Sequence, residues 1–184
     1  MRKLNAYNFL SLNGCYKGNN GDISWHKHGA EENSYSEESL EPGNILLFGR
    51  ITYEMMSGYW PSEAAHQNSP KVAEGMNNTE KIVFSRTMEK ATWNNTLLIK
   101  NNIVDEIRKI KQTPGKDMTI LGSGTIITQF AEHNLIDSIQ IMIDPVVIKN
   151  GTPIFNDIHC NLNLILTGTK TFKSGVVLLN YKIE

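Results

Sequence analysis

Cysteine is nearly absent from this sequence: only Cys15 and Cys160 occur in 184 residues, far apart and in no paired spacing. That excludes a disulfide framework and a cysteine metal knuckle, and fits a reducing cytoplasm. A dominant charge is also missing. The formal net charge of −1 leaves no broad basic surface for nucleic acid or an anionic membrane, and no charged block is long enough to form an interaction tail. Apolar runs never approach the length of a membrane span, and Met1 to Ala6 leads into strand-like sequence without a long apolar targeting segment. Internal repeats, low-complexity tracts and dividing linkers are lacking as well. What remains is the composition of an ordinary globule, 40% hydrophobic and 20% charged, at the length of one domain over 1–184. A cytoplasmic protein with a small-molecule ligand is the expectation.

The most informative stretch is Ile45 to Met56. Ile45, Leu46, Leu47 and Phe48 form an unbroken apolar run, as in a strand buried on both faces of a parallel sheet. Gly49 permits a sharp turn or a close approach, and Thr52 is placed to cap a helix whose N-terminal amides favour an anion. Arg50 adds a permanent cation beside that terminus. The plain alternative is an ordinary strand–turn–helix with a surface arginine.

Along the chain, Lys3 to Leu12 reads as a strand, Ala30 to Leu40 as an acidic helix ended by Pro42-Gly43, and Gly58 to Ser69 as a loop. Pro70 opens a short helix through Met76, Lys81 to Phe84 is a strand, and Leu97 to Ile99 another. Asn102 can cap a helix carrying Ile103, Ile107 and Ile110. Met118 to Leu121 opens into Gly122-Ser123-Gly124 and a helix from Thr125 to about His133. Ile139, Ile141 and Ile143 alternate with polar residues or Met142, and Leu162 to Phe172 and Val176 to Tyr181 form a hairpin. Strands alternating with helices and then an antiparallel finish predict an α/β sandwich on a mostly parallel sheet with an antiparallel edge.

Three predicted strand ends carry small, hydroxyl or guanidinium side chains: Gly49-Arg50-Ile51-Thr52, Ser85-Arg86-Thr87 and Gly122-Ser123-Gly124-Thr125. Ligands of open α/β sheets bind beyond the carboxyl ends of strands, so three such ends on one edge point to a long phosphate-rich ligand such as a dinucleotide. The third is neither a Rossmann fingerprint nor a P-loop, because no further glycine or Lys-Ser/Thr follows at the required place.

In these residues and their order the sequence resembles the dihydrofolate reductase superfamily, and within it the bacterial proteins similar to the reductase domain of the bifunctional riboflavin-biosynthesis enzyme. The carriers span nearly the whole chain: Ser11-Leu12-Asn13-Gly14, Gly49 to Glu54, Phe84 to Thr87, Leu121 to Gly124 with Gln129-Phe130, Leu135 to Asp137, and Asp144 to Val147 with Gly151 and Phe155. The resemblance implies a dihydrofolate-reductase-like three-layer sandwich on about eight strands, an NADPH site and a homodimer through the C-terminal strands. Arg50 and Thr52 would meet the pyrophosphate, Ser85 and Arg86 the adenosine 2′-phosphate, and Gly122, Ser123 and Gly124 would let backbone amides approach the cofactor, with Thr125 and Ile126 following. Folate reductases join the first two glycines of that turn by a cis bond; here the second is Ser123, where such a bond costs more.

The reaction so implied is hydride transfer to a small pterin-, pyrimidine- or carbonyl-type substrate, with a carboxyl of raised pKa relaying a proton. By the same resemblance Glu31, six residues after Trp25, is the acid, with Glu32 as its neighbour and Tyr35 one turn on against the substrate. A solvated face of Glu31, Glu32, Glu37, Glu38 and Glu41 is the competing reading. Asn13, Trp25, Met56 and Trp60 complete the expected substrate side. Asn13 stands where many relatives have Asp and cannot titrate as an acid. No proline follows Trp25, which argues against folate, and no basic cluster for a ribitol phosphate is visible. His26-x-His28 lacks a third metal ligand and reads as loop histidines exposed to solvent. The alternative function is an NADP(H)-binding regulatory protein that keeps the fold with little or no turnover.

Overall fold

The computed structural model describes residues 1–27, 29–40 and 43–184. The predicted helix stop at Pro42, Glu41 of the acidic face and His28 of the histidine pair lie outside the described residues. The strands are β1 (Leu4–Ser11), β2 (Cys15–Lys17), β3 (Ile45–Gly49), β4 (Lys81–Phe84), β5 (Thr96–Ile99), β6 (Met118–Leu121), β7 (Ser138–Asp144), β8 (Thr152–Pro153), β9 (Leu164–Thr171) and β10 (Val177–Ile183). The α-helices are α1 (Ala30–Leu40), α2 (Arg50–Tyr59), α3 (Glu63–Asn68), α4 (Pro70–Asn78), α5 (Ile103–Gln112) and α6 (Gly124–Glu132). None of them is long and apolar enough to cross a membrane.

Eight strands form one sheet in the order β5-β4-β3-β6-β1-β7-β10-β9. From β5 to β7 every pairing is parallel, and β10 and β9 finish it antiparallel. The apolar run that predicted β3 is buried on both faces because successive side chains alternate. Ile45 and Leu47 enter a core with Leu4, Ala6, Ile107, Ile120 and Phe130, under α5 and α6. Leu46 and Phe48 enter another with Tyr53, Val72, Met76 and Trp93, under α2 and α4. Met142, Phe172, Val176 and Leu178 make a third, against which Tyr35 of α1 packs. The result is an α/β three-layer sandwich of the dihydrofolate-reductase kind.

Some local expectations change. Thr52 does not cap α2: the cap position is Gly49, extended at φ −76° and ψ 161°, and Thr52 lies inside the first turn. The helix starts directly at Arg50 because the strand needs no linking residue to enter it. Asn102 occupies the cap of α5 but in a left-handed conformation with no side-chain cap bond. The segment read as a loop from Gly58 to Ser69 holds α3, whose Ser62 hydroxyl accepts from the Ala65 amide at 3.2 Å. The short β2–β8 ladder, pairing Cys15 with Pro153 and Lys17 with Thr152, is too brief to show periodicity in the sequence.

Candidate functional site

The parallel strands all end on one edge, where β3 turns into α2 and β6 turns into α6. The second turn is the tighter one. Gly122 and Ser123 both take left-handed backbone, φ 58° and 57°, and the bond between them is trans. Left-handed geometry is routine for glycine and costly for serine, and Ser123 has a compensating partner: its hydroxyl accepts from the Gly49 amide at 2.8 Å. One side chain thereby ties the two turns together. The Ser123 carbonyl takes the amides of Ile126 and Ile127, so the first amides of α6 are left without intrahelical acceptors. A Cβ at Gly49 would stand 3.2 Å from Ile126, and one at Gly124 only 2.7 Å from the Tyr16 ring. Both glycines are therefore needed for close approach.

Beneath these turns runs a cleft of about 1310 Å³. Gly49, Arg50, Thr52, Gly122, Ser123, Gly124, Thr125 and Ile126 line it, as do Tyr35, Met56 and Trp60. These eleven residues, predicted from separate stretches, are brought together. Trp60 Nε1 donates to Met56 Sδ at 3.1 Å, fixing both side chains on the wall. Arg50 lies at the first turn of α2 as expected, but its guanidinium holds Glu54 at 2.9 Å on the exposed surface. Such a pair is worth about 0–1 kcal/mol and exchanges readily for a stronger anion.

Other predicted residues lie elsewhere. Ser85 and Arg86 follow β4, next to β3, yet do not line the cleft. The Ser85 hydroxyl accepts from the amides of Thr87 and Met88 at 3.3 and 3.0 Å, and Arg86 is exposed. Asn13 is a fastener between loops: its Oδ1 accepts from Ser11 and Ile148, and its Nδ2 donates to the Ile148 carbonyl. Trp25 is half-buried edge-on to Phe9 and donates to the Asp22 carbonyl at 3.1 Å. The His26 side chain is buried rather than exposed to solvent as expected, because it stacks on Phe9 and meets Asp144 at 2.8 Å.

Glu31 departs most from its expected role. Its carboxylate accepts from the Lys173 amide at 2.9 Å and pairs with the Lys173 ammonium at 3.1 Å. The Lys173 amide, then its ammonium, hold the Glu31 carboxyl below the usual range, the reverse of a proton donor's shift. It does not line the cleft. Neighbouring Glu32 is buried, accepting from the Gly29 amide at 3.0 Å and the Ser174 hydroxyl. At this helix start, one carboxylate faces the hairpin turn outside and the next roots α1 inside.

Tyr7 and Asn8 are among the cleft residues that the sequence does not single out. Asn8, 2% exposed, has the one buried side-chain polar atom without a hydrogen-bond partner among the described residues, its Nδ2. Tyr7 donates to Met142 Sδ at 3.0 Å, and burial first, then Tyr35, Asp144 and Glu32, push its phenol well above the ordinary range. It stays neutral near pH 7. In the sequence both residues belong to an apolar-looking strand, where nothing distinguishes a cleft-lining side chain from a core one.

The RibD C-terminal domain profile matches residues 2–178. The chain belongs to that family. It is 31% identical to the uncharacterised protein YyaP of Bacillus subtilis (strain 168) across 94% of this chain and 90% of that one. Its fold is similar to a diaminohydroxyphosphoribosylaminopyrimidine deaminase/5-amino-6-(5-phosphoribosylamino)uracil reductase of Thermotoga maritima, with TM-score 0.70 and 13% identity over 100% of this chain and 57% of that one. It is similar also to the dihydrofolate reductase of Enterococcus faecalis complexed with NADP(H), with TM-score 0.68 and 16% identity over 99% of this chain and 96% of that one.

Proposed function

We propose that this RibD C-terminal-domain protein is an NADPH-dependent reductase of a small pterin-, pyrimidine- or carbonyl-type molecule. The observation that carries the reading is the joined pair of turns, Gly49–Arg50 and Gly122–Ser123–Gly124, placing the starts of α2 and α6 side by side over one cleft. Helix starts offer unpaired amides and a positive dipole end to phosphate. The unpartnered Asn8 Nδ2 gives the same cleft a donor awaiting an acceptor.

The residues fit the cofactor as follows. Arg50 and the first amides of α2 and α6 hold the pyrophosphate, Gly49 and Gly124 leave room for it, and Ser85 and Arg86 take the 2′-phosphate beyond the cleft. When bound, NADPH supplies a hydride to a carbon of a C=N or C=O bond. The neighbouring nitrogen or oxygen then requires a proton. No carboxylate lines the cleft among the described residues, so that proton comes from water or a phenol rather than from Glu31. The same observation favours the second reading, an NADP(H)-binding regulatory protein without turnover. The dimer partner is a second copy meeting the edge strand β9, where Leu164, Ile165 and Leu166 are exposed. Light scattering tests it: a dimer made monomeric by Leu166→Lys is expected, and a monomeric native protein overturns it.

The decisive experiment is a fluorescence titration with NADPH and NADH. NADPH is expected to bind more tightly, Arg50→Ala to weaken both on the order of tenfold, and Arg86→Ala to remove most of the preference. Equal binding of the two cofactors overturns the Ser85–Arg86 assignment, and no binding of either overturns the reductase reading. Binding without oxidation across folates, pterins and pyrimidines supports the regulatory one.

A further inference from the structure

The cleft divides sharply by charge. Among the described residues that line it, the only charged side chains are Lys17 and Arg50. Both belong to the cofactor end: Arg50 opens α2, and Lys17 follows Tyr16, whose ring abuts Gly124. The other end, walled by α1, α4 and the start of β7, presents hydroxyls, amides, thioethers and rings, with no ammonium, guanidinium or carboxylate.

Three carboxylates near this end are engaged away from it. Glu31 is held by Lys173, Glu32 by Gly29 and Ser174, and Glu37 pairs with Lys71 at 3.2 Å. Lys170, exposed on β9, stands 5.4 Å from the centre of the Tyr35 ring but does not line the cleft. Inside, the polar groups are ordered by a relay. Gln140 Nε2 gives one hydrogen to Asn180 Oδ1 at 2.8 Å and the other to Tyr35 Oη at 3.3 Å. Having accepted there, the Tyr35 hydroxyl keeps its own proton for an acceptor in the cleft. Met56 and Trp60 supply apolar surface for the faces of a flat ring.

Resting on the reductase reading, we infer that the substrate is an uncharged, hydrogen-bonding heterocycle or carbonyl compound, read by the Tyr35 hydroxyl, and not a phosphate ester or a carboxylate-tailed pterin. An anion in this end would surrender its hydration with no cation in the lining to replace it, the Lys170 ammonium lying outside on the far side of the lining. A neutral ring with carbonyl or imine acceptors surrenders little, because amides and hydroxyls pair with it.

The test uses two matched pairs of probes, 7,8-dihydrobiopterin against 7,8-dihydrofolate, and 5-amino-6-ribitylaminouracil against its 5′-phosphate. Each is titrated calorimetrically into the protein with and without NADPH. The neutral member of at least one pair is expected to bind on the order of tenfold or more tightly than its anionic partner. Tyr35→Phe, which keeps the ring packed on Phe172, is expected to weaken that neutral ligand several-fold and leave NADPH affinity unchanged. Asn68→Lys, at the rim, is expected to raise the anion's affinity. Equal or tighter binding of both anions overturns the inference, as does failure of all four probes. Absent NADPH binding with the neutral preference intact overturns the reductase reading alone.

Discussion

The two ends of the cleft are built from opposite materials. At one end the backbone does the work: left-handed turns, glycines in close approach and two helix starts present amides and a positive field, with Arg50 and Lys17 adding cations. At the other, side chains do it, and all are neutral at pH 7. A field made from peptide dipoles is fixed by the fold and suits an anion that many reactions share. A lining of amides and hydroxyls is set by sequence and discriminates by hydrogen-bond pattern. The contrast explains why Glu32 is buried and bonded: it shapes the neutral end without entering it.

The comparison breaks most severely at Glu32. Replacing it by Ala takes the acceptor from the half-buried Gly29 amide and the exposed Ser174 hydroxyl and empties a buried site at the start of α1, with an expected loss of about 1–3 kcal/mol in denaturant unfolding. Glu32→Gln, which keeps an acceptor, should lose less. A full-length loss on Glu32→Gln would mean that the negative charge itself is needed.

At the cofactor end, Gly124→Val drives a side chain into the Tyr16 ring, which a Cβ alone would approach to 2.7 Å. NADPH affinity is expected to fall about tenfold from the resulting overpacking, while a neutral ligand of the other end keeps its affinity. Parallel losses for both ligands would show the two ends to be one unit.

The opposite edge of the sheet supplies a region where charge is used structurally. Asp137 accepts from the Leu4 amide at 2.8 Å and pairs with Lys111 at 2.5 Å and Lys3 at 3.6 Å. Burial pushes its carboxyl up, but the Leu4 amide and the two ammoniums outweigh it, and the net direction is down. A carboxyl lowered on folding stabilises above its unfolded value, about 3.9, and loses that contribution as pH falls through the folded value. Asp137→Asn should therefore cost about 0.5–1 kcal/mol at pH 7, screening included. The gap from the native protein should close below about pH 4. A gap constant with pH would assign the loss to geometry instead.

The sequence made one end far more legible than the other. Backbone devices leave local signatures: Gly49-Arg50 after an apolar run and Gly122-Ser123-Gly124 after another are adjacent residues, so the sheet, its antiparallel finish and the turns could be read directly. The neutral end has no local signature. Tyr35, Gln140 and Asn180 meet only when α1, β7 and β10 are folded together, across separations of 105 and 40 residues. Asn8 and Tyr7 are hidden in a strand pattern, and α3 in a polar stretch that resembles a loop. Glu31 faces away from the cleft for a related reason: position on a helix start shows where a carboxylate begins, but which way it turns depends on Lys173, 142 residues away.

The smallest expected effect is also the one that separates the two readings of the helix start. Glu31→Gln removes a carboxylate that is outside the cleft, lowered in pKa and occupied by Lys173. If the neutral end works without a titrating acid, turnover of any accepted substrate should be unchanged from pH 5 to 8, and NADPH affinity with it. A carboxyl that donated the proton would instead give a rate falling as pH rises through its pKa, and the amide would abolish that limb. Stopped-flow NADPH oxidation across this range distinguishes the cases. Loss of that descending limb in Glu31→Gln would require the Lys173 hairpin turn to release Glu31 into the cleft during the reaction, making the two ends less separate than their linings imply.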